Sequence, residues 1–231
     1  MSALLNLEDV SKRFGFRNIL KDINFSINTG EFVMLIGNNG AGKSTLLRII
    51  SSLMKPSKGQ INFRGTKQND NLLEWLRIMG NITHENRLYS DLNSKDNLRI
   101  YGNLYGVKQL DSKIDEVLSK IDLAHVALLP VRNFSSGMKK RLMIGRLMLY
   151  NPEILILDEP YTGLDQNSFH WFQEYLQQFH QKGYTVLMAT HQLALGLELA
   201  TRVLVLDHQN IKYDVSSEGL SVERCCALLE E

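Results

Sequence analysis

The sequence predicts an α/β fold built on a parallel core sheet. Two observations carry that expectation: continuous apolar runs alternate with segments of helical period, and the first core run breaks into a glycine-rich loop that restarts as a helix. In sheets of this kind, ligands collect beyond the carboxyl ends of the strands. The stretch "MLIGNNGAGKSTLLRII", Met34 to Ile50, is therefore where chemistry is expected first.

The N-terminal part reads as β. "INFSIN" alternates Ile23, Phe25 and Ile27 with polar residues, the period of a half-buried strand. "NTGE" supplies a turn, and "FVMLIG" is continuously apolar, as a strand covered on both faces should be. The loop and a helix through "KSTLLRIISSLM" follow, stopping near Pro56 and Gly59, and "GQINFRG" reads as a short strand closing a hairpin.

From about Asn93 to Tyr150 the period becomes helical. Leu98, Tyr101, Leu104 and Tyr105 share one face, as do Ile114, Val117, Leu118 and Ile121 after an expected N-cap at Asp111. The β pattern then resumes in "EILILDEP" and "YTVLMATH", so 93–150 reads as a helical insert within a single domain covering 1–231. "RVLVLDHQNIKYDV" closes as a hairpin over Gln209 and Asn210.

Composition narrows the functional classes. At 231 residues, 44% hydrophobic and 22% charged, the chain is an ordinary globular one with a real core. Basic and acidic residues number 26 and 25, a net charge of +1, which gives a nucleic-acid partner little to hold. Cys225 and Cys226 are adjacent, with neither a zinc spacing nor the haem-attachment spacing, and fit incidental thiols in a reducing compartment. "MSALLNLEDVSKRF" lacks the apolar segment of a signal peptide, and no run approaches the ~18–20 apolar residues of a membrane span. A soluble chain is expected, whose membrane span, if it has one to work with, comes from another subunit.

The glycine loop has a phosphate chemistry. Gly37 to Ser44 fits G-x-x-x-x-G-K-[ST]: Gly37, Asn38, Asn39, Gly40, Ala41, Gly42, Lys43 and Ser44, followed by Thr45. Gly40 and Gly42 let successive N–H groups converge on phosphate oxygens, and the following helix adds its positive end. Lys43 can reach the β- and γ-phosphates, and the Ser44 hydroxyl can ligate Mg²⁺. A carboxylate is then needed at a neighbouring strand end, and "ILILDEP" supplies two. Asp158 would complete the metal site and Glu159 would orient and deprotonate the attacking water. His191, after "VLMAT", is placed to touch the γ-phosphate.

"NFSSGMKKRLMIGRLMLYNPEILILDEPYTGLD" resembles the signature-to-D-loop region of ATP-binding cassette ATPases. The resemblance covers essentially the whole chain. It implies a P-loop NTPase core with an N-terminal antiparallel β subdomain and an inserted helical subdomain. It places Ser135, Ser136 and Gly137 in the signature, Asp165 in the D-loop, His191 at the switch histidine and Phe14 where an aromatic stacks on adenine. It implies ATP and Mg²⁺ as cofactors, and head-to-tail homodimers in which each signature helix faces the partner's γ-phosphate. It also implies an integral membrane permease as partner, and so a chain held peripherally on the cytoplasmic face of the inner membrane. Ser135 and Ser136 are good N-cap types in their own right, and Lys139, Lys140 and Arg141 read as a solvated helix face, with support of the signature's anion site as the alternative.

Three positions depart from the family pattern. Ser136 stands where glycine is usual, Met138 where glutamine is usual, and His84 falls at the Q-loop glutamine. An imidazole there implies a weaker or pH-sensitive link between Mg²⁺ and the membrane subunit. His84, "LYSDL" and "NLRIYGNLYGV" resemble the ATP-binding subunit of the haem exporter of cytochrome c maturation, with the chain as motor and without haem ligands of its own. Cassettes exporting polysaccharides, drugs or lipids share much of this wording. A soluble ATPase acting on DNA or ribosomes would carry two cassettes or long coiled-coil inserts, and a regulatory module without turnover would lack Glu159 or His191.

Overall fold

The computed structural model describes residues 3–83 and 88–230. The chain opens with two long antiparallel strands, β1 (Leu5–Phe14) and β2 (Arg17–Ile27). Leu5, Leu7 and Val10 of β1 and Leu20, Ile23 and Ile27 of β2 are buried while polar residues intervene, so one face makes the core. Register shifts interrupt the pairing after Leu7 and after Val10, where Asp9 and, across in β2, Asp22 take positive φ of 51° and 48°. Then follow β3 (Phe32–Ile36), α1 (Lys43–Ile50), β4 (Lys58–Phe63), β5 (Thr66–Lys67), α2 (Leu72–Ile78) and β6 (Met79–Ile82). The helix α1 ends at Ile50, short of the expected Met54. There the Ile50 carbonyl accepts from Gln68 Nε2 at 2.7 Å and from Trp75 Nε1 at 3.0 Å, and Ser52 turns to φ 57°.

The middle of the chain is helical: α3 (Ser94–Leu104), α4 (Leu110–Lys120) and α5 (Ser136–Tyr150). The remainder alternates β7 (Ile154–Asp158), α6 (Gln166–Gln181), β8 (Thr185–Ala189), α7 (Leu193–Leu199), β9 (Arg202–Asp207), β10 (Asn210–Ser216) and α8 (Val222–Glu230). A four-stranded antiparallel sheet runs β2-β1-β4-β5, and a six-stranded sheet runs β10-β9-β3-β8-β7-β6. In the latter, β9, β3, β8 and β7 are parallel, and every residue of β3, β7 and β8 is buried. That double-sided burial is why these segments are apolar throughout.

The chain divides into two compact units. One comprises Met1–Asn81, Glu153–Pro160 and Gln177–Glu231, and holds both sheets around a core that includes Leu35, Leu46, Ile50, Trp75, Ile156 and Leu204. The other comprises Ile82–Pro152 and Tyr161–Leu176, with its own core of Leu98, Ile114, Val117, Leu118, Ile121, Leu142 and Leu149. This helical unit is larger than the 93–150 read from periodicity, because Trp171 of α6 packs on the same core.

Local differences from the sequence reading have simple causes. Asp111 lies inside the first turn of α4, while Gln109, at φ 50°, holds the cap position. Of the four residues assigned to one face of α3, Leu98 is buried, Leu104 is 73% exposed and Tyr105 is already the C-cap. The β9–β10 turn uses His208 and Gln209, at φ 43° and 74°, so Asn210 starts the strand. Lys139, Lys140 and Arg141 are not a solvated face. Lys140 is buried, and Arg141 is largely covered with its Nη1 3.5 Å from Asp122.

Candidate functional site

Three neighbouring parallel strands end at one edge of the core sheet. β8 lies between β3 and β7, and Leu35, Ala189 and Asp158 stand in register across them. The glycine loop leaves β3, Asp158 and Glu159 leave β7, and Thr190 and His191 leave β8. The alternating connections therefore gather into one cluster residues separated by more than a hundred positions in the chain.

The loop is shaped by glycine at two tight places. A Cβ on Gly37 would sit 2.4 Å from the Leu206 carbonyl oxygen, inside any real contact distance. Gly42 has φ 109°, and a Cβ there would lie 2.9 Å from Leu20 Cδ2 and 3.1 Å from the Ile19 carbonyl. Gly42 holds the N-cap position of α1 without a side-chain cap, so the first N–H groups of the helix point into the loop. These donors, with the helix dipole, form a seat for an anion. Lys43 Nζ donates to the carbonyls of Gly37 at 2.6 Å and Asn38 at 3.2 Å, closing the loop on itself. Burial lowers the Lys43 ammonium below the usual lysine range, and the nearby Glu159 and Asp158 carboxylates oppose that shift.

Asp158 is 3% exposed, at the last position of β7. Glu159 follows at φ 48°, a left-handed conformation that a residue with a Cβ rarely takes, and its N–H donates to the Ala189 carbonyl at 2.9 Å. The strained turn re-aims the chain so that the Glu159 carboxylate meets the end of β8. Its Oε2 lies 2.8 Å from His191 Nδ1 and accepts the His191 N–H at 3.3 Å. The Glu159 side chain is 15% exposed and that of His191 65%, so the imidazole stands at the mouth and the carboxylate behind it. Phe14 is half-exposed at the end of β1, with Lys12 Nζ 5.2 Å from its ring centre.

The residues present fit a nucleotide triphosphate. The Gly37 and Gly42 cradles, the uncapped helix end and Lys43 make an anion site, and the Ser44 hydroxyl with the Asp158 carboxylate supplies the hard oxygen donors that Mg²⁺ takes. Asn39, Gly40, Ala41 and Thr45 complete the loop and the first turn of α1 around that seat; Gly40, at φ 82°, faces open space.

The helical unit carries the residues that the sequence resemblance assigns to the signature, Ser135, Ser136 and Gly137. Ser135 Oγ caps α5 by accepting the Met138 N–H at 3.2 Å, with Ser136 exposed beside it. A Cβ on Gly137 would sit 3.4 Å from the Gly163 carbonyl and 3.7 Å from Asp165 Oδ2, so the segments expected to be signature and D-loop are neighbours within this unit. Asp165 Oδ1 accepts the Ser168 N–H at 2.9 Å, and the Ser168 hydrogen bonds hold its carboxyl below the usual aspartate range. His84 lies outside the described residues.

Sequence reasoning missed the strained backbone of Glu159 and the wall that Ile19, Leu20 and Leu206 make around the loop. The first leaves no composition signal, and the second depends on strands far from the loop in sequence.

Fold and site define a phosphate-loop ATPase of the α/β class. The chain belongs to the ABC transporter family, whose profile matches residues 20–162. It is 36% identical over 195 residues to the lantibiotic transport ATP-binding protein SrtF of Streptococcus pyogenes, covering 83% of this chain and 81% of that one. Among solved structures, an ATP-binding subunit of an ABC transporter superposes with a TM-score of 0.90 at 29% identity, over 99% of this chain and all of that one. The ATP-binding cassette MJ0796, a dimer in a post-hydrolysis state bound to ADP and phosphate, superposes with a TM-score of 0.83 at 26% identity, over 92% of this chain and 98% of that one. Among the described residues no helix is long and apolar enough to cross a membrane.

Proposed function

We propose that this chain is the motor of an ABC exporter, hydrolysing ATP between two head-to-tail copies beneath an integral membrane permease. The observation that carries this reading is the convergence of Lys43, Asp158, Glu159 and His191 at the ends of β3, β7 and β8. In it, the loop N–H groups and Lys43 would bind the phosphates, and Ser44 and Asp158 would hold Mg²⁺, which would neutralise phosphate charge. Glu159 takes the proton of the attacking water and His191, in contact with that carboxylate, orients it and the γ-phosphate. Phe14 stacks on adenine. Ser135, Ser136 and Gly137 bind the γ-phosphate of the partner copy, with Asp165 beside them. The chain then lies on the cytoplasmic face of the membrane through its permease.

The cargo reading we favour is a lantibiotic, supported by the likeness to SrtF. The haem-exporter complex of cytochrome c maturation is the second reading, supported by the wording "LYSDL" and "NLRIYGNLYGV" and by His84. In both, this chain is the motor and does not touch the cargo.

Affinity purification of tagged Glu159→Gln protein with ATP, from gently solubilised native membranes, tests all of this. ATP-dependent recovery of a dimer with a permease supports the motor reading. Haem-handling proteins and a haem absorbance band in the eluate would replace the lantibiotic reading with the haem complex. A monomer recovered with its permease and ATP would overturn the dimer mechanism.

A further inference from the structure

The end of β1 carries Phe14 and is braced to the segment that follows α1. The Ser57 N–H donates to the Ser11 carbonyl at 2.7 Å, the Arg13 N–H donates to Ser57 Oγ at 3.1 Å, and Lys12 Nζ donates to the Lys55 carbonyl at 2.7 Å. Only the third of these bonds is donated by a side chain, and it holds the Lys12 ammonium over the Phe14 ring, 5.2 Å from its centroid. Lys12 also stands one strand away from the wall of the glycine loop. It pairs with Leu20 across β1 and β2, and Leu20 Cδ2 comes within 2.9 Å of a Cβ built on Gly42.

This placement gives the ring two different sides. Phe14 is 50% exposed, so with the ammonium over one side, a planar base has the open side on which to stack. A phenylalanine has no polar handle with which to fix its ring. Cation–π attraction supplies that restraint, holding one ring orientation before a ligand arrives, and it draws π density toward the ammonium, which favours an electron-rich purine on the opposite side. The ammonium is bonded to a backbone carbonyl rather than to a carboxylate, so its charge is not neutralised where it meets the ring.

Resting on the reading of Phe14 as the adenine platform, we propose that Lys12 is a positioning residue for the base of the nucleotide. It does not touch the nucleotide. It acts through Phe14, by fixing and polarising the ring from behind, and it ties that ring to the Lys55 carbonyl just beyond the phosphate-loop helix. The base and the phosphates are then held by parts of one braced unit, and the lysine contributes to affinity for the base while contributing nothing to affinity for the phosphates.

The test is the affinity of the full-length chain for ADP and for pyrophosphate, each with Mg²⁺, by isothermal titration calorimetry. The chains compared are the parent, Lys12→Met, Lys12→Arg, Phe14→Ala and the double variant Lys12→Met with Phe14→Ala. Pyrophosphate keeps the diphosphate and lacks the base. Lys12→Met is expected to weaken ADP by about three- to tenfold and to leave pyrophosphate within about twofold. Lys12→Arg, which keeps a cation and a donor, should recover most of that loss. In the Phe14→Ala background, Lys12→Met should change ADP by no more than about twofold, because the lysine acts through the ring. If Lys12→Met does not fold, Lys12→Gln takes its place in the same comparison. Phe14→Ala without effect on ADP would end the adenine reading, and the role of Lys12 with it. Where Phe14→Ala does weaken ADP, three results overturn only the role given to Lys12: no change in Lys12→Met, an equal loss for ADP and pyrophosphate, which would put the ammonium on the phosphates, or an undiminished Lys12→Met effect without the ring.

Discussion

At the scale of single residues, Glu159 concentrates the conflict between folding and chemistry. Its φ of 48° costs energy that asparagine, which tolerates the left-handed region, would not spend. Glu159→Gln and Glu159→Asn both remove the proposed base, and hydrolysis should fall about 10²–10⁴-fold in each while ATP still binds. The two variants should differ in stability: Glu159→Asn is expected to unfold at the higher denaturant concentration, by about 0.5–1 kcal/mol, in paired equilibrium melts. Equal midpoints would mean that the turn stores no strain. Gly37 makes the complementary case. With a carbonyl oxygen 2.4 Å from its would-be Cβ, Gly37→Ala must displace β9 or the loop, and a loss of about 1–3 kcal/mol is expected in the same melts, together with weaker nucleotide binding.

At the scale of elements, helix ends do most of the site-building. α1 starts on a glycine and leaves its donors open, whereas α5 and α6 start on Ser135 and Asp165, which close theirs. Ser135→Ala should therefore cost about 1 kcal/mol of stability, while a side-chain cap placed at Gly42 would compete with the phosphate. Asp165 carries a pH consequence. Its folded pKa is depressed, so the Ser168 hydrogen bonds stabilise the helical unit above the unfolded value of about 3.9, and that contribution is lost as the pH falls through the lower folded value. A thermal melt series from pH 6 down to pH 2 should show Asp165→Asn less stable than the parent at the upper end and converging with it as the pH falls through the lowered folded value. A constant gap across that range would remove the charge from the explanation. The elements also record what periodicity could carry. Alternation in β2 and unbroken apolarity in β3 were legible because burial imposes those patterns directly. The cap of α4 was not, because Gln109 caps it by backbone conformation, and Asp111 instead pairs with Arg99 at 2.8 Å.

At the scale of the whole molecule, a nucleotide that binds only the folded chain raises its apparent stability by mass action. With ATP and Mg²⁺ at about 100 times Kd, the gain is about 2.7 kcal/mol, an increase in melting temperature of about 5–11 °C for a chain of this size. Lys43→Ala should abolish most of that increase in a thermal-shift assay, with little change in the ligand-free melting temperature. A full shift in the variant would place the phosphates elsewhere.

The sequence by itself determined the order of the strands' roles: a glycine loop after one apolar run, two acids after a second, a histidine after a third. Those signals are local, because a phosphate seat needs glycine, a lysine and a helix start within a few residues. It also carried the parallel α/β class, since strands buried on both faces must be apolar throughout. Only the tertiary structure decided that β8 lies between β3 and β7, which brings Glu159 to 2.8 Å from His191. Only it could show that Lys140 and Arg141 are covered rather than solvated, and that α6 contributes Trp171 to the helical core. The physical reason is the same in each case. Pattern along a chain reports whether a position is buried, whereas its neighbour is set by packing between segments that lie dozens of residues apart.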